Sequence, residues 1–344
     1  MTRRSPITTY WNRSRPIKRT GVPRPNTTTT ITTTTTPTVE NTAPAASTRV
    51  RCISAPAQSN SAHGQCMDLA KQQGYSHYRY AFEIGWGIEA LDYIIAGCQS
   101  RGLKLLLCVF RNDRILPVDQ AACDSYAASL VSYIARGVGT ITHVEFWNEP
   151  NLTTFSTTRD ATQWARMCVT AHAAVKAAYP TVKTITGGLS PAAGAYQPNT
   201  WFLAACAANA SLKTSFDMIG IHPYDFPHSP MSNYSWCVNK QVVDLKNSMV
   251  SLYGVNPTFA ATEYGAPSSY TVTQWDGTHV FDEAKQAEWM GYYKTAFDTR
   301  GATWGLESVF MVRDGAIGGT WEPSTGMFRA DNTAKPAAAV RVTS

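Results

Sequence analysis

Two glutamates close apolar runs in settings that suit paired carboxyl chemistry. Glu149 ends the segment Val144-Glu145-Phe146-Trp147-Asn148-Glu149-Pro150-Asn151, and Glu263 ends Thr258-Phe259-Ala260-Ala261-Thr262-Glu263-Tyr264-Gly265. Proline cannot donate to a sheet ladder, so Pro150 predicts that strand pairing stops there, with Glu149 on a polar rim. The C-terminal ends of strands are where α/β barrels keep their chemistry. Two carboxyls that face each other can divide the work, one attacking as a nucleophile and the other moving a proton. Glu145 shares strand parity with Glu149, which predicts an inward side chain paired with a basic group in a structural role. Arg79 in His77-Tyr78-Arg79-Tyr80, and His222 and Tyr224 in Ile219-Gly220-Ile221-His222-Pro223-Tyr224, lie in two further strand-like runs.

The elements that must hold these groups alternate regularly. Strand-like runs are Arg49–Ala55, His77–Glu83, Lys104–Phe110, Thr142–Asn148, Thr181–Gly187, Phe216–His222, Thr258–Glu263 and Thr303–Met311. Amphipathic stretches follow them at Ala62–Gln73, Ile88–Arg101, Asp119–Arg136, Asp160–Tyr179, Pro198–Ala208, Val238–Leu252, Asp282–Thr299 and Ala334–Val342, with Asp119 as a helix N-cap. Strict alternation predicts a parallel sheet covered by helices. Eight units in this length predict a closed (β/α)8 TIM barrel, a fold of about 250 residues in its usual form. Lys104–Phe110 is almost continuously apolar, as a strand buried on both faces requires. Glu149 then falls on strand four and Glu263 on strand seven.

With that count, Trp147-Asn148-Glu149-Pro150 resembles the acid/base motif of the clan A retaining glycoside hydrolases, and Thr262-Glu263-Tyr264-Gly265 resembles their nucleophile strand. The resemblance covers residues 48–344 and looks closest to the family 5 and family 39 branches, cellulases and β-xylosidases. It implies that Glu263 attacks the anomeric carbon while Glu149 protonates the leaving oxygen, the two carboxyls lying roughly 5–5.5 Å apart. It further implies that Arg79 holds the nucleophile ionised and that Asn148 bonds the neighbouring sugar hydroxyl. The His222-x-Tyr224 pair matches the motif that sets an aromatic hydroxyl near the nucleophile, and Trp147 and Tyr264 join the substrate contacts. The clan usually carries a tryptophan near the end of strand eight; here Phe310 or Val312 stands there, with Trp304 and Trp321 as replacements. The stretch from Gly326 to Pro336 resembles the clan's closing segment, which leads into a last helix. Among loop tryptophans, Trp86, Trp201, Trp236, Trp275 and Trp321 are candidates to stack on sugar.

Bulk properties bound the rest. The chain has 344 residues, 44% of them apolar, enough for a large core. Its net charge of +6 is concentrated in residues 1–51, where nine basic groups face Glu40 alone; the remainder is near −2. No nucleic acid is therefore expected on the folded domain. Residues 1–47 form a basic Thr/Pro-rich block, read as a linker or as an arm that docks on a larger assembly such as a phage tail. No apolar run suits a signal peptide or a membrane span, so the expected location is on a virion, or otherwise cytoplasmic or non-classically exported. The eight cysteines show no metal spacing and read as buried thiols, with one or two disulfides as the alternative. Neither a metal nor another cofactor is expected. The competing function is a catalytically inactive carbohydrate-binding or structural barrel, since fold alone never establishes catalysis.

Overall fold

The apolar strands are covered on both faces because the sheet closes on itself. The computed structural model describes residues 49–55, 59–315 and 319–340; the arm expected over 1–47 lies outside them. The barrel strands are β1 (Val50–Ser54), β2 (His77–Ile84), β3 (Lys104–Arg111), β4 (Ile141–Asn148), β5 (Lys183–Gly188), β6 (Ile219–Ile221), β7 (Phe259–Tyr264) and β10 (Trp304–Phe310). They run in the order β5-β4-β3-β2-β1-β10-β7-β6, every pairing parallel. Bridges Ile185–Met218 and Leu189–Ile221 join the two outer strands. Helices α1 (Asn60–Gln72), α2 (Ile88–Arg101), α3 (Gln120–Arg136), α4 (Ala161–Ala178), α5 (Pro198–Ala208), α6 (Val238–Tyr253) and α7 (Glu283–Thr299) complete the alternation.

Local chemistry sets the boundaries. The side chains of Asp119, Asp160 and Asp282 accept backbone N–H groups at the starts of α3, α4 and α7, satisfying donors that a helix leaves open. Gly102 and Gly254 end α2 and α6 at φ 64° and 67°, a conformation that costs glycine little. Inside the sheet, Cys52, Leu106, Ile185, Met218, Ala260 and Leu306 form a separate apolar cluster from six different strand positions, a filled interior rather than a pore.

Three expectations change. The last helix, expected over Ala334–Val342, is a single 3-10 turn at Pro336–Ala339. β6 is only three residues long: Asp217 turns aside to accept the Thr184 N–H at 2.8 Å, and Pro223 has no N–H for the ladder. An unanticipated hairpin, β8 (Tyr270–Gln274) with β9 (Gly277–Phe281), grows from the loop after β7. Its Asp276-Gly277 dipeptide is a turn signal that the strand-helix alternation obscured. All eight cysteines are free and buried, and burial pushes thiols such as Cys52 up to about 12, which leaves them inert. No described helix is long and apolar enough to cross a membrane.

Candidate active site

Strand four ends in an irregular turn. Trp147 and Glu149 adopt φ values of 83° and 43°, which non-glycine residues seldom do and which cost on the order of 1–3 kcal/mol each. The turn breaks the alternation of β4, so Glu145, Asn148 and Glu149 all reach one cluster. Arg79 on β2 is its hub. The guanidinium donates to Glu145 Oε2 at 2.8 Å, Glu263 Oε1 at 2.5 Å and Asn148 Oδ1 at 2.9 Å. Tyr224 donates its hydroxyl to Glu263 Oε2 at 2.7 Å. His222 places Nδ1 2.9 Å from Glu149 Oε1 and 3.7 Å from Glu263 Oε2, with Nε2 3.6 Å from Glu145.

The structure thus brings together Arg79, Asn148, Glu149, His222, Tyr224 and Glu263. It does not bring Trp147 or Tyr264 to them, and the expectation that those two contact substrate gives way to packing. Trp147 is fully buried, donates its indole N–H to Phe155 O at 2.7 Å and rests against Tyr126 of α3. Tyr264 follows Glu263 on an extended strand and so takes the opposite face, where its ring meets Tyr293 and Phe297 of α7. Two residues that sequence reasoning passed over complete the cluster. Thr262 Oγ1 and the Gly188 N–H both donate to Glu145 Oε1, at 2.7 and 2.9 Å. A Cβ on Gly188 would lie 2.1 Å from His222 Nε2, so that position must be glycine. The Gly187-Gly188 doublet at a strand end was the available signal, since such glycines mark close approach.

Electrostatics assigns each group a state. Burial alone would raise the Glu145 carboxyl, but the Arg79 charge and hydrogen bond and the nearby His222 outweigh it and lower it to about 2. Burial likewise pushes the Tyr224 phenol well up, and the Glu263 charge adds to this, so Tyr224 stays a donor. Burial would lower His222, yet Glu263, Glu145 and Glu149 raise it from 6.5 to about 9. Protonated His222 therefore stabilises the fold fully below pH 6.5, and that contribution is lost as pH rises through 9. The thermal midpoint gap between the unaltered protein and His222→Gln should shrink across that interval; a gap independent of pH would contradict this arrangement. Arg79→Met leaves Glu145 buried without its main counter-charge. It should cost about 3–5 kcal/mol in denaturant unfolding, and a loss below about 1 kcal/mol would show that Arg79 is not the hub.

Glu149, His222 and Glu263 also offer ligand atoms within 4.8 Å of one another, a set that could hold a cation. A metal takes neutral imidazole, so binding there would have to displace the His222 proton.

Rings continue the site outward. Tyr224 meets Trp321 at 4.9 Å and Phe310 at 6.2 Å, and Trp321 meets Phe226 at 4.9 Å. Of the two replacements considered for the missing strand-eight tryptophan, Trp321 is beside Tyr224, whereas Trp304 is buried against Phe259 and Phe297. Trp201 is likewise buried, its ring tilted against Trp164 at 4.7 Å.

No protein-family model matches the sequence, and no curated protein matches it significantly. Solved structures do. A family 39 glycoside hydrolase from the gut symbiont Bacteroides cellulosilyticus WH2 superposes with TM-score 0.63 at 17% identity, over 86% of this chain and 64% of that one. The barrel is structurally related to the family 39 glycoside hydrolases. A monomeric β-xylosidase from Caulobacter crescentus CB15 gives TM-score 0.60 at 15% identity, over 86% of this chain and 68% of that one. A β-glucosidase from Thermotoga maritima gives 0.56 at 13%, over 81% and 84%. The chain spans about two thirds of the length of the first two, and at these identities the likeness is one of fold.

Proposed function

We propose that this protein is a retaining glycoside hydrolase acting on β-linked sugars of an oligo- or polysaccharide. The observation that carries the reading is the approach of the two carboxyls: oxygens of Glu149 and Glu263 lie within 4.8 Å of each other. So close an approach of one oxygen from each carboxyl supports a retaining pair, whose carboxyls stand about 5–5.5 Å apart, over an inverting pair at roughly 6.5–9.5 Å. Glu263, held by Arg79 and Tyr224, is the nucleophile. Its carboxylate bonds to the anomeric carbon as the bond to the leaving oxygen breaks and Glu149 delivers the proton. Glu149 then takes a proton from water, which attacks the anomeric carbon and frees Glu263. Arg79 fixes Asn148 Oδ1, leaving the amide NH2 to donate to the adjacent sugar hydroxyl. The β configuration is supported by the solved neighbours, named as a β-xylosidase and a β-glucosidase.

The test is a panel of 2-deoxy-2-fluoro β-xylosides, glucosides, mannosides and galactosides with intact-mass readout and peptide mapping. One sugar should be added per chain, on Glu263. No adduct with any member, together with no turnover of any glycan by the unaltered protein, would favour a carbohydrate-binding barrel instead. Turnover should also survive EDTA unchanged; a loss restored by added divalent metal would assign the Glu149–His222–Glu263 set to a cation.

A further inference from the structure

The loop after β6 and the β8–β9 hairpin carry a second group of rings beyond the carboxylates. Tyr234 and Trp236 stack at 4.7 Å with an interplanar angle of 12°. His228 lies 4.7 Å from Tyr234 and 5.8 Å from Trp236, and stacks on Trp275 at 6.0 Å and 27°. Trp275, in the two-residue turn of the hairpin, is 74% exposed, the highest value among the exposed large apolar side chains. Asp276 beside it is bonded to His279 at 3.0 Å and lies 3.8 Å from His228. Nothing in the catalytic reading uses these residues. They nevertheless belong to the same face, because their loops spring from β6 and β7, the adjacent strands that lead to His222, Tyr224 and Glu263.

The group is continuous with the carboxylates. Tyr224, Phe226 and His228 alternate along one segment, and Phe226 meets Tyr270 of the hairpin at 6.3 Å. His228 is four residues from Tyr224, so at most roughly 14 Å of chain separates them, a span that a few linked sugars cover. We propose that Trp275, Trp236, Tyr234 and His228 form a distal subsite that stacks on a sugar ring of a glycan chain whose cleaved bond lies at Glu149 and Glu263. The ligand is thus a polymer or long oligosaccharide rather than a disaccharide.

Three features select this occupant. His228 braces one face of Trp275, so an open ring is held ready at little ordering cost. Flat aromatic faces with a carboxylate and imidazoles at their edges offer both apolar contact and fixed hydrogen bonds. The group holds a handful of side chains, far fewer than the roughly 20–30 residues per side that a stable protein partner engages. This proposal rests on the hydrolase reading for the position of the cleaved bond, but the ring platform is testable without it.

The test uses the full chain and two readouts. In native gels cast with soluble xylan, mixed-linkage β-glucan, galactomannan or β-galactan, Glu263→Gln protein should be retarded by at least one polymer. Trp275→Ala in that background should lose the retardation and Trp275→Phe should keep most of it. For the sugar that is hydrolysed, Trp275→Ala should lower the ratio of polymer to 4-nitrophenyl glycoside kcat/KM roughly tenfold. Circular dichroism should show the Trp275→Ala fold intact, as expected for so exposed a position. Retardation lost by Trp275→Ala without any hydrolysis would sink the hydrolase reading and keep the platform. Hydrolysis with retardation and ratio both indifferent to Trp275 would sink the platform and keep the hydrolase. No retardation by any of the four polymers overturns the proposal and leaves a protein partner for that surface.

Discussion

Replacing Glu263 by Gln should lower kcat by at least ~10⁴-fold on every glycoside that the protein cleaves, because the amide cannot take the carboxylate's place in forming the glycosyl intermediate. The fold should survive. Arg79 keeps its bond to Glu145 at 2.8 Å and Asn148 at 2.9 Å, so loss of one carboxylate does not strand the guanidinium. A thermal midpoint unchanged or raised, beside lost turnover, separates a catalytic role from a structural one. Glu263→Gly with sodium azide gives a sharper reading, since the small anion can occupy the emptied position. It should yield a glycosyl azide of inverted configuration relative to the substrate. Residual activity within tenfold of the unaltered enzyme, or no azide product, would remove Glu263 from the nucleophile's role.

Glu149→Ala should behave differently, and the difference is diagnostic. Proton transfer by a placed side chain is worth about 10²–10⁴-fold, so glycosides with poor leaving groups should slow by that amount. Dinitrophenyl glycosides, whose leaving group needs no proton, should form the intermediate at close to the normal rate and accumulate it. Azide should then restore turnover and give a product of retained configuration. Equal losses on good and poor leaving groups would mean that Glu149 is not the acid. His222 Nδ1, 2.9 Å from Glu149 Oε1, would lose its partner in this variant, so the His222 contribution to stability should weaken as well.

Much of this site was legible because strand ends are local. Apolar runs and Pro150 mark where strands stop, and Glu149, Glu263 and His222 fall at or near those stops, whereas Arg79 lies near the start of β2. The rest depended on geometry that no local pattern encodes. Trp147 has the parity of a mouth residue, but its φ of 83° turns the ring onto α3. Tyr264 neighbours Glu263 in sequence and faces the helices in space. The β8–β9 hairpin was hidden because eight strands were already accounted for.

Sequence alone therefore determined the alternation, the barrel it predicts and the two carboxyls placed at its fourth and seventh strands. Tertiary structure decided their separation, the hub at Arg79, the placing of His222 among three carboxylates and the need for Gly188 beneath it. The physical reason is that periodicity reports which face of an element is buried. Distances across a barrel mouth are set only once eight strands have closed and a strained turn has aimed the last side chains inward.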